Sequence, residues 1–384
     1  MSKQKEQSVE WSNRKSSALL QQNQRFIPGG VVSVNRKISP VICFSHGQGC
    51  RVWDEDGNAY IDYHGGFAPV LLGHNDPDVD AAVRQMMDRH AVHMGSGTTW
   101  YEGKLASLLV EHIPAIDSVQ MTNTGSEATA HTIRLARAYT GRDDLILVQG
   151  SYNGAHNDVM YNMSTPLTQI GPRVCPGKYQ TVPMSAGIPS SLGKHIHVIN
   201  FNDLDSVRYV CDRHAIAGLV TEPILQNIGV VKPVAGYLEG LRELADRYGF
   251  VLIFDEVKTG FRHSLGGYQQ LSGVRADLSS SAKAVANGYP MGFIGGKREI
   301  MDLFVDPDPG RRVLIAGTYN AHPIATAAAI ATVEKLVAGQ GDVYRHLYAM
   351  GDRMQVGLER IFRDRGIPVA VARQGSAFCV YFMD

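Results

Sequence analysis

Between about residues 77 and 320, short apolar runs alternate with segments of helical periodicity, and this alternation constrains the fold more than any other feature. The runs HIHVINF, IAGLVTEP, FVLIFDE and MGFIGGK are rich in β-formers and are mostly apolar on both faces. Strands of this kind lie buried under helices on each side of a mainly parallel sheet. The alternation therefore predicts an α/β domain with a central, mainly parallel sheet.

Segments on either side of the alternating region predict a second, smaller domain. Asp56-Gly57 lies between two strand-like runs and predicts a hairpin turn, and the tail after about Val343 resumes a helix and then a strand. We expect residues 1–65 to contribute to the small domain and to an active-site loop, residues 66–325 to form the large domain, and residues 326–384 to complete the small α/β domain. Because the chain stops in mid-strand, we expect this last part to be incomplete.

Composition excludes several classes of protein. The 384 residues are 44% hydrophobic and 19% charged, which is typical of a soluble enzyme or binding protein. The 37 basic residues balance the 37 acidic ones, so we expect no nucleic-acid partner. The polar N-terminus and the lack of a long apolar run predict a cytoplasmic protein that does not enter a membrane. The five scattered cysteines indicate neither a disulfide framework nor a metal site.

Polar residues follow four of the predicted strands, and open α/β sheets bind ligands beyond the carboxyl ends of their strands. At the first of these ends, Gly125 and Ser126 open a helix in the run TNTGSEATAH. Backbone N–H groups and the positive end of a helix dipole suit a phosphate. The alternative is that Thr124 or Ser126 only caps the helix.

The second and third strand ends carry an aromatic residue, an acid and an amide. Tyr152 lies in the glycine-flanked loop QGSYNGAH, where it can stack on a planar cofactor or pack as an ordinary turn tyrosine. Glu222 and Asn227 follow the run IAGLVT, and Glu222 is either a site residue or a solvated turn residue. Neither motif alone decides between its two interpretations.

The fourth strand end, in LIFDEVKTGF, puts a carboxylate behind a strongly apolar strand. Asp255 needs a cation, because an ionised carboxylate without a partner is costly to bury. Glu256 points to the opposite face of the strand, where Arg262 is a candidate partner. The cation that Asp255 requires is either a basic side chain, which gives a structural ion pair, or a bound ligand.

Lys283 lies in the small-residue run ADLSSSAKAVANGYP, with no acid beside it. Its side chain can therefore enter a cavity, where burial lowers the pKa of the amine and increases the reactive free-amine form. A solvated surface lysine is the alternative interpretation. Pyridoxal 5′-phosphate requires four features in its binding site. They are a phosphate site, a stacking residue such as Tyr152, an acid that needs a cation and a lysine such as Lys283.

Eight motifs in order carry a family resemblance over residues 26–336. They are FIPGGVVS, LLGHNDP, NTGSEATAHTIRLARAYTGRD, YNGAHND, TEPILQNIGVV, LIFDEVKTGFR, SAKAVANGYPMG and AGTYNAHPIA. The chain resembles the class III aminotransferases of the fold-type-I pyridoxal-phosphate superfamily, most closely the branch that contains glutamate-1-semialdehyde aminomutase. The resemblance implies a large domain whose mainly parallel sheet is flanked by helices, and a small domain from the N- and C-terminal segments.

The resemblance also implies roles around the cofactor ring. Lys283 would form the internal aldimine with pyridoxal 5′-phosphate and move the substrate proton. Asp255 would hold the pyridine nitrogen protonated, so that the ligand is the cation that this carboxylate requires. Tyr152 would pack above the ring and Val257 beneath it.

A phosphate site shared between subunits follows from the same resemblance. Gly125 and Ser126 would bind the phosphate from one subunit. Thr318, in AGTYN, matches a residue that the neighbouring subunit contributes. The resemblance therefore implies a homodimer with shared active sites.

Four further positions match the family near the cofactor hydroxyl and the substrate. Glu222 and Asn227 match positions on the hydroxyl side. Ser33 and Arg36 match the loop where the aminomutase receives a substrate carboxylate, and a guanidinium fork suits a carboxylate. A solvated loop arginine is an equal alternative for Arg36.

The type of reaction is indicated by departures from the aminomutase pattern. The chain has YNG where Tyr-His-Gly is usual, Lys258 where methionine is common, and TYNAHP where Thr-x-Ser-Gly-Asn-Pro is usual. We therefore predict a pyridoxal-phosphate-dependent aminotransferase that moves an amino group between an amino acid or amine and a keto or aldehyde acceptor. The alternative is a glutamate-1-semialdehyde 2,1-aminomutase.

Two other classes of protein use similar folds. A dinucleotide-binding dehydrogenase is disfavoured because no GxGxxG follows the first strand of the α/β region. A catalytically silent binding protein would lack Lys283 or Asp255, and both are present. The sequence therefore favours an enzyme.

Overall fold

Three sheets organise the part of the chain that the computed structural model describes, residues 11–383. The strands are β1 (Phe44–Gln48), β2 (Arg51–Asp54), β3 (Ala59–Ile61), β4 (Ser118–Thr122), β5 (Asp144–Val148), β6 (Ile196–Ile199), β7 (Ile216–Thr221), β8 (Val251–Asp255), β9 (Leu278–Ala282), β10 (Gly292–Gly296), β11 (Val369–Gln374) and β12 (Ala377–Phe382). The largest sheet has seven strands in the order β4-β10-β9-β8-β7-β5-β6.

The central sheet is mainly parallel, as predicted. Strands β6, β5, β7, β8 and β9 pair in parallel, whereas β10 is antiparallel to both β4 and β9. The carboxyl ends of the five parallel strands therefore meet at one edge. That edge is where ligands bind in sheets of this kind.

Helices connect these strands and cover them. The α-helices are α1 (Arg14–Asn23), α2 (Pro77–Asp88), α3 (Trp100–His112), α4 (Gly125–Thr140), α5 (Leu167–Ile170), α6 (Leu204–Cys211), α7 (Tyr237–Tyr248), α8 (Gly267–Ser272), α9 (Arg298–Met301), α10 (Pro323–Ala338) and α11 (Asp342–Arg363). The 3₁₀ helices are Pro28–Gly30, Val34–Arg36, Leu192–His195, Lys283–Ala286 and Asp302–Val305. The helix predicted to open at Gly125 and the helix predicted in the tail after about Val343 are confirmed as α4 and α11, and α4 ends at Gly141 in the left-handed conformation, with φ 65°.

Strand β8 shows why the apolar runs lack an alternating pattern. Val251 and Ile253 pack into the hydrophobic cluster that contains α4 residues, whereas Leu252 and Phe254 pack into the cluster built with α6 and α7. Each fully buried side chain of this size contributes about 1.5–3 kcal/mol. Because side chains alternate along a strand, Asp255 at the end of β8 projects toward the α4 side, as Ile253 does.

The two smaller sheets lie outside the central sheet. Strands β1, β2 and β3 form an antiparallel sheet, and the predicted turn at Asp56-Gly57 joins β2 to β3, with Gly57 at φ 92°. Strands β11 and β12 pair antiparallel near the C-terminus, where α11 packs against β11.

The domain boundaries at residues 65 and 325 stay a prediction. Among residues 11–383, no helix combines the length and the apolar content needed to cross a bilayer.

Asn287 ties the loop before α2 to the segment that carries Lys283. Its Oδ1 accepts hydrogen bonds from the backbone N–H groups of Leu71 and Leu72, at 2.9 and 2.8 Å, and its Nδ2 donates to the Gly73 carbonyl at 3.1 Å. Asn287 has φ 45°, a conformation that asparagine tolerates better than most residues. These bonds fix one wall of the site relative to Lys283.

Candidate active site

A cavity of about 160 Å³ lies at the carboxyl edge of the central sheet, and we call it the narrow cavity. Residues that follow β4, β5, β7, β8 and β9 converge on it. Its lining residues are Gly125, Ser126, Thr129, Tyr152, Asn153, Gly154, Glu222, Asp255, Val257, Lys258 and Lys283. Seven of these were predicted as site residues from the sequence: Gly125, Ser126, Tyr152, Glu222, Asp255, Val257 and Lys283.

Asp255 is buried, with 2% of its surface exposed, and it has no basic side chain within 4 Å among residues 11–383. Its Oδ2 accepts from Asn153 Nδ2 at 2.9 Å, and its Oδ1 accepts from the Val257 N–H at 2.9 Å. Burial raises the pKa of the carboxyl, while these bonds and the nearby Lys283 oppose that shift. The alternative of a structural ion pair is therefore wrong, and the carboxylate is free to meet a cation in the cavity.

Lys283 begins the 3₁₀ helix after β9 and has φ 55°, an uncommon backbone conformation that directs it into the cavity rim. Burial lowers the pKa of its amine to about 8, with the charge of Lys258 as the second cause and the acids Asp255 and Glu222 opposing. The alternative of a solvated surface lysine is wrong. A lysine with this pKa supplies free amine near neutral pH, which is what a nucleophile requires.

Glu222 is buried rather than solvated, with 2% exposed, so its interpretation as a turn residue is wrong. Its Oε1 accepts from Ser151 Oγ at 3.3 Å and from the Tyr152 N–H at 3.4 Å, and its Oε2 accepts from the N–H groups of Gln226 and Asn227. Burial raises the pKa of Glu222 to about 7, with Asp255 as the second cause. Glu222 thereby holds the Tyr152 loop to the end of β7.

The N-terminus of α4 is both capped and available to a ligand. Thr124 Oγ1 accepts from the Glu127 N–H at 3.2 Å, and the Glu127 carboxylate accepts from the Thr124 N–H at 3.3 Å in a capping box. The N–H groups of Gly125 and Ser126 donate to no acceptor in residues 11–383. Ser126 Oγ accepts from the Ala155 N–H at 3.0 Å. Capping by Thr124 therefore leaves two N–H groups at the positive end of the helix for an anion.

Gly125 is required for the shape of the cavity, because a Cβ at this position would lie 2.7 Å from Val257 Cγ2. We expect Gly125→Ala to lower the free energy of unfolding by about 1–3 kcal/mol and to weaken binding of an anionic ligand at the α4 N-terminus. Urea titration and ligand titration measure the two effects. Gly103→Ala is the matched control, since Gly103 is an exposed helix position where an added Cβ meets nothing within 4 Å. Equal behaviour of the two variants would contradict the prediction.

One predicted contact is wrong, and several lining residues were missed. Glu256 does not pair with Arg262: it accepts from Thr259 Oγ1 and from the Tyr268 and Gln269 N–H groups at the start of α8. Thr129, Asn153, Gly154 and Lys258 had no predicted role. Asn153 and Lys258 did carry a signal, because both depart from the family pattern.

Four predicted residues lie outside the lining of the narrow cavity. Asn227 is next to it, with its Oδ1 accepting from Lys258 Nζ at 2.6 Å. Thr318, Ser33 and Arg36 are exposed. Ser33 precedes the 3₁₀ helix Val34–Arg36, and Arg36 is its last residue. The single chain does not bring Thr318, Ser33 or Arg36 to this cavity, and their roles stay predictions.

Comparison with known families decides the class of protein. The family model described as Aminotransferase class-III matches residues 32–383. The chain belongs to the class III aminotransferases. It is 38% identical over 376 residues to a glutamate-1-semialdehyde 2,1-aminomutase of Citrifermentans bemidjiense, which covers 96% of this chain and 84% of that protein.

Solved structures of aminotransferases share the fold of this class III aminotransferase. An omega-transaminase from Sphaerobacter thermophilus superimposes with a TM-score of 0.88 at 31% identity, covering 96% of this chain and 83% of that one. A transaminase with PLP bound gives a TM-score of 0.87 at 29% identity, and the match covers 97% of this chain and 84% of that one. The predicted fold-type-I architecture is confirmed, and pyridoxal 5′-phosphate is the cofactor of this class III enzyme.

The narrow cavity of this class III aminotransferase fits that cofactor by its own geometry. Two unused N–H groups at the start of α4 suit a phosphate, and the buried Asp255 carboxylate suits a protonated ring nitrogen. The absence of a side chain at Gly125 lets the start of α4 lie directly against Val257. Lys283 supplies an amine with a lowered pKa. These features match the three chemically distinct parts of pyridoxal 5′-phosphate: phosphate, ring nitrogen and aldehyde.

Proposed function

We propose that this class III enzyme transfers an amino group between an amino acid or amine and a keto or aldehyde acceptor, with Lys283 and Asp255 as its catalytic residues. The observation that carries the proposal is the convergence of Asp255, Lys283 and the α4 N-terminus on one cavity. Bound pyridoxal phosphate withdraws electrons from a substrate carbon that loses a proton. The residues of the chain supply binding, orientation and proton transfer.

Asp255 and Lys283 divide the acid–base work. The Asp255 carboxylate, held by Asn153 and the Val257 N–H, would keep a proton on the ring nitrogen. Lys283 Nζ would hold the cofactor through its aldehyde and move the proton at the substrate carbon, for which an amine with a pKa of about 8 is suited. Tyr152 and Val257 line the same cavity and would contact the two faces of the ring.

The remaining predicted residues complete the proposal. Gly125 and Ser126 bind the phosphate through their backbone N–H groups. We place Glu222 and Asn227 on the hydroxyl side of the ring, which is supported by the burial of Glu222 and its bond from the Asn227 N–H at 3.3 Å. Because Thr318 is exposed in the single chain, its phosphate contact requires a second copy, and we propose a cytoplasmic homodimer with shared sites.

A glutamate-1-semialdehyde 2,1-aminomutase is the second candidate, favoured by the 38% identity to the aminomutase of Citrifermentans bemidjiense. The aminomutase reaction returns the amino group to the same molecule, so it needs no separate acceptor. The presence of Asn153 and Lys258 at the site favours transfer to a separate acceptor, since both depart from the aminomutase pattern.

A donor and acceptor screen separates these candidates. Purified enzyme loaded with pyridoxal phosphate is mixed with each amino donor, and the loss of the visible absorbance is followed, then its recovery on adding each acceptor. Recovery that depends on an added acceptor supports the aminotransferase. Isomerisation of glutamate 1-semialdehyde without any acceptor would instead establish the aminomutase. Colourless protein that takes up no pyridoxal phosphate would refute both.

The pKa of Lys283 predicts how cofactor capture depends on pH. Because only the free amine attacks the aldehyde, capture by the apoenzyme should accelerate as pH rises from 6, reach half its maximum near pH 8 and level off above about pH 9, whereas an amine with the ordinary lysine pKa of 10.5 would give a midpoint near that pH. Stopped-flow absorbance with pyridoxal phosphate measures the rate. Nα-acetyl-lysine under the same conditions corrects for the titration of the cofactor itself. A corrected rate that still rises at pH 10 would contradict the lowered pKa.

A further inference from the structure

A second, larger cavity of about 960 Å³ adjoins the narrow cavity, and we call it the wide cavity. Lys258 lines both cavities, so it marks the passage between them. The wide cavity is also lined by the loop of residues 62–74, Arg262, α11 and residues 376–379 at the start of β12. A substrate that reacts next to Lys283 has room in the wide cavity for the rest of its structure.

The acidic side chains that line the wide cavity are already paired with basic side chains. The pairs are His74–Asp62 at 2.7 Å, Lys335–Asp76 at 2.7 Å and Arg345–Asp342. The cavity therefore offers no free carboxylate among its described lining residues.

Two cations in the same lining have no acidic partner. Neither Lys258 nor Arg262 has a carboxylate within 4 Å among residues 11–383. Lys258 Nζ donates only to the neutral amide oxygen of Asn227, at 2.6 Å. Burial lowers the pKa of the Lys258 amine, and the acids Glu222 and Asp255 are close enough to oppose that shift without forming an ion pair.

Of these two cations, Arg262 gives the stronger evidence for an anion site. Its Nη2 donates to the carbonyls of Ala68 and Val70, at 2.7 and 3.3 Å, and its buried Nε has no partner. Its Nη1 also donates to no atom of residues 11–383. A buried guanidinium without a counter-anion carries an uncompensated charge, and burial lowers its pKa to about 10. The arrangement leaves hydrogen-bond donors and positive charge for an anion at this wall.

We propose that Lys258 and Arg262 form the binding site for a substrate carboxylate, so that the enzyme selects amino acids and keto acids over simple amines. This inference rests on the proposed aminotransferase function. Carboxylates pair with lysine and with the planar donors of arginine, and such charge-assisted bonds are stronger than neutral ones. The site differs from the predicted Ser33 and Arg36, which line neither cavity in the single chain.

Binding of glutarate to the holoenzyme tests this site. Glutarate carries two carboxylates and has neither an amino nor a keto group, so calorimetry reports binding without turnover. We expect Lys258→Met to weaken glutarate binding about 10- to 100-fold, the value of a hydrogen bond to a charged group. Methionine has a similar length without the charge. Lys194→Met, which removes an exposed lysine remote from both cavities, should leave glutarate binding unchanged.

The visible spectrum of each variant separates failure of this inference from failure of the proposed function. Protein that holds no pyridoxal phosphate refutes the function itself. Yellow Lys258→Met protein that binds glutarate as tightly as the wild type refutes only the carboxylate site. A shifted absorbance maximum with unchanged glutarate affinity would assign Lys258 to the cofactor instead. Loss of affinity confined to Arg36→Ala would place the carboxylate at Arg36 and also overturn the inference.

Discussion

Lys283→Ala is expected to bind pyridoxal phosphate but to lose amino-group transfer. The Gly125 and Ser126 N–H groups and the Asp255 carboxylate remain, so the cofactor keeps its anchors at both ends. The variant loses both the nucleophile and the proton carrier, and lost proton transfer alone slows reactions of this kind by on the order of 10²–10⁴-fold. Single-turnover absorbance measurements with an active donor give the rate.

Chemical trapping provides the control for Lys283→Ala. Borohydride should fix the cofactor on Lys283 of the wild type, as a mass increase on the peptide that contains this residue, and should fix nothing on the variant. Lys194→Ala, at an exposed position, should behave as the wild type in both assays. A Lys283→Ala protein that turns over at the wild-type rate would show that another group carries the proton.

Asp255→Asn is expected to give the second-largest loss of activity. Asparagine has nearly the same shape and still accepts from the Val257 N–H, but it has no charge to hold a proton on the ring nitrogen. Removing one partner of a buried charge pair costs about 3–5 kcal/mol, which corresponds to a loss in kcat/KM of roughly 10²–10⁴-fold. The absorbance of the bound cofactor should change with pH in the variant where it stays constant in the wild type.

Asp277→Asn is the matched control for Asp255→Asn. Asp277 is also buried, with 4% exposed, but its partners are Arg242 and Lys297 rather than the cavity. We expect it to lower the free energy of unfolding without changing the cofactor spectrum. If both variants lost stability and kept activity, Asp255 would be a structural residue only.

The sequence predicts the structure best where burial gives a simple pattern of apolar residues. Strands β5 to β8 are apolar on both faces because helices cover both sides of the sheet, and the ends of these strands locate the site. The left-handed Gly141 marks the end of α4. Since these features follow from local chemistry, the α/β architecture and seven of the residues that line the narrow cavity were predictable.

Strand β9 shows where the pattern fails. Its run LSSSA is polar in sequence, yet the strand is fully buried in the sheet. Two of its three serine hydroxyls bond to distant side chains, with Ser280 Oγ accepting from Thr129 and Ser279 Oγ accepting from Gln269. Partners this far apart in the chain have no local signal, so a polar run can form a central strand without any warning in its composition.

The partner of Glu256 was unpredictable for a similar reason. Proximity in sequence favoured Arg262, but the α8 N–H groups satisfy the carboxylate instead, and Arg262 turns to the carbonyls of Ala68 and Val70. The backbone contributes donors and acceptors that a sequence does not display. Asn153 was missed as the partner of Asp255 for a different reason, because the two side chains lie 102 residues apart in the chain.

The contact between Gly125 and Val257 joins the two ends of the narrow cavity into one rigid unit. Because the start of α4 and the turn after β8 touch there without space for a methyl group, the distance between the anion site and the ring site is set by the scaffold and cannot stretch to suit a different coenzyme. The wide cavity has walls from separate sheets and loops, so its dimensions can change without changing the narrow cavity. Evolution on this scaffold can therefore alter the molecule that is converted while the coenzyme stays the same.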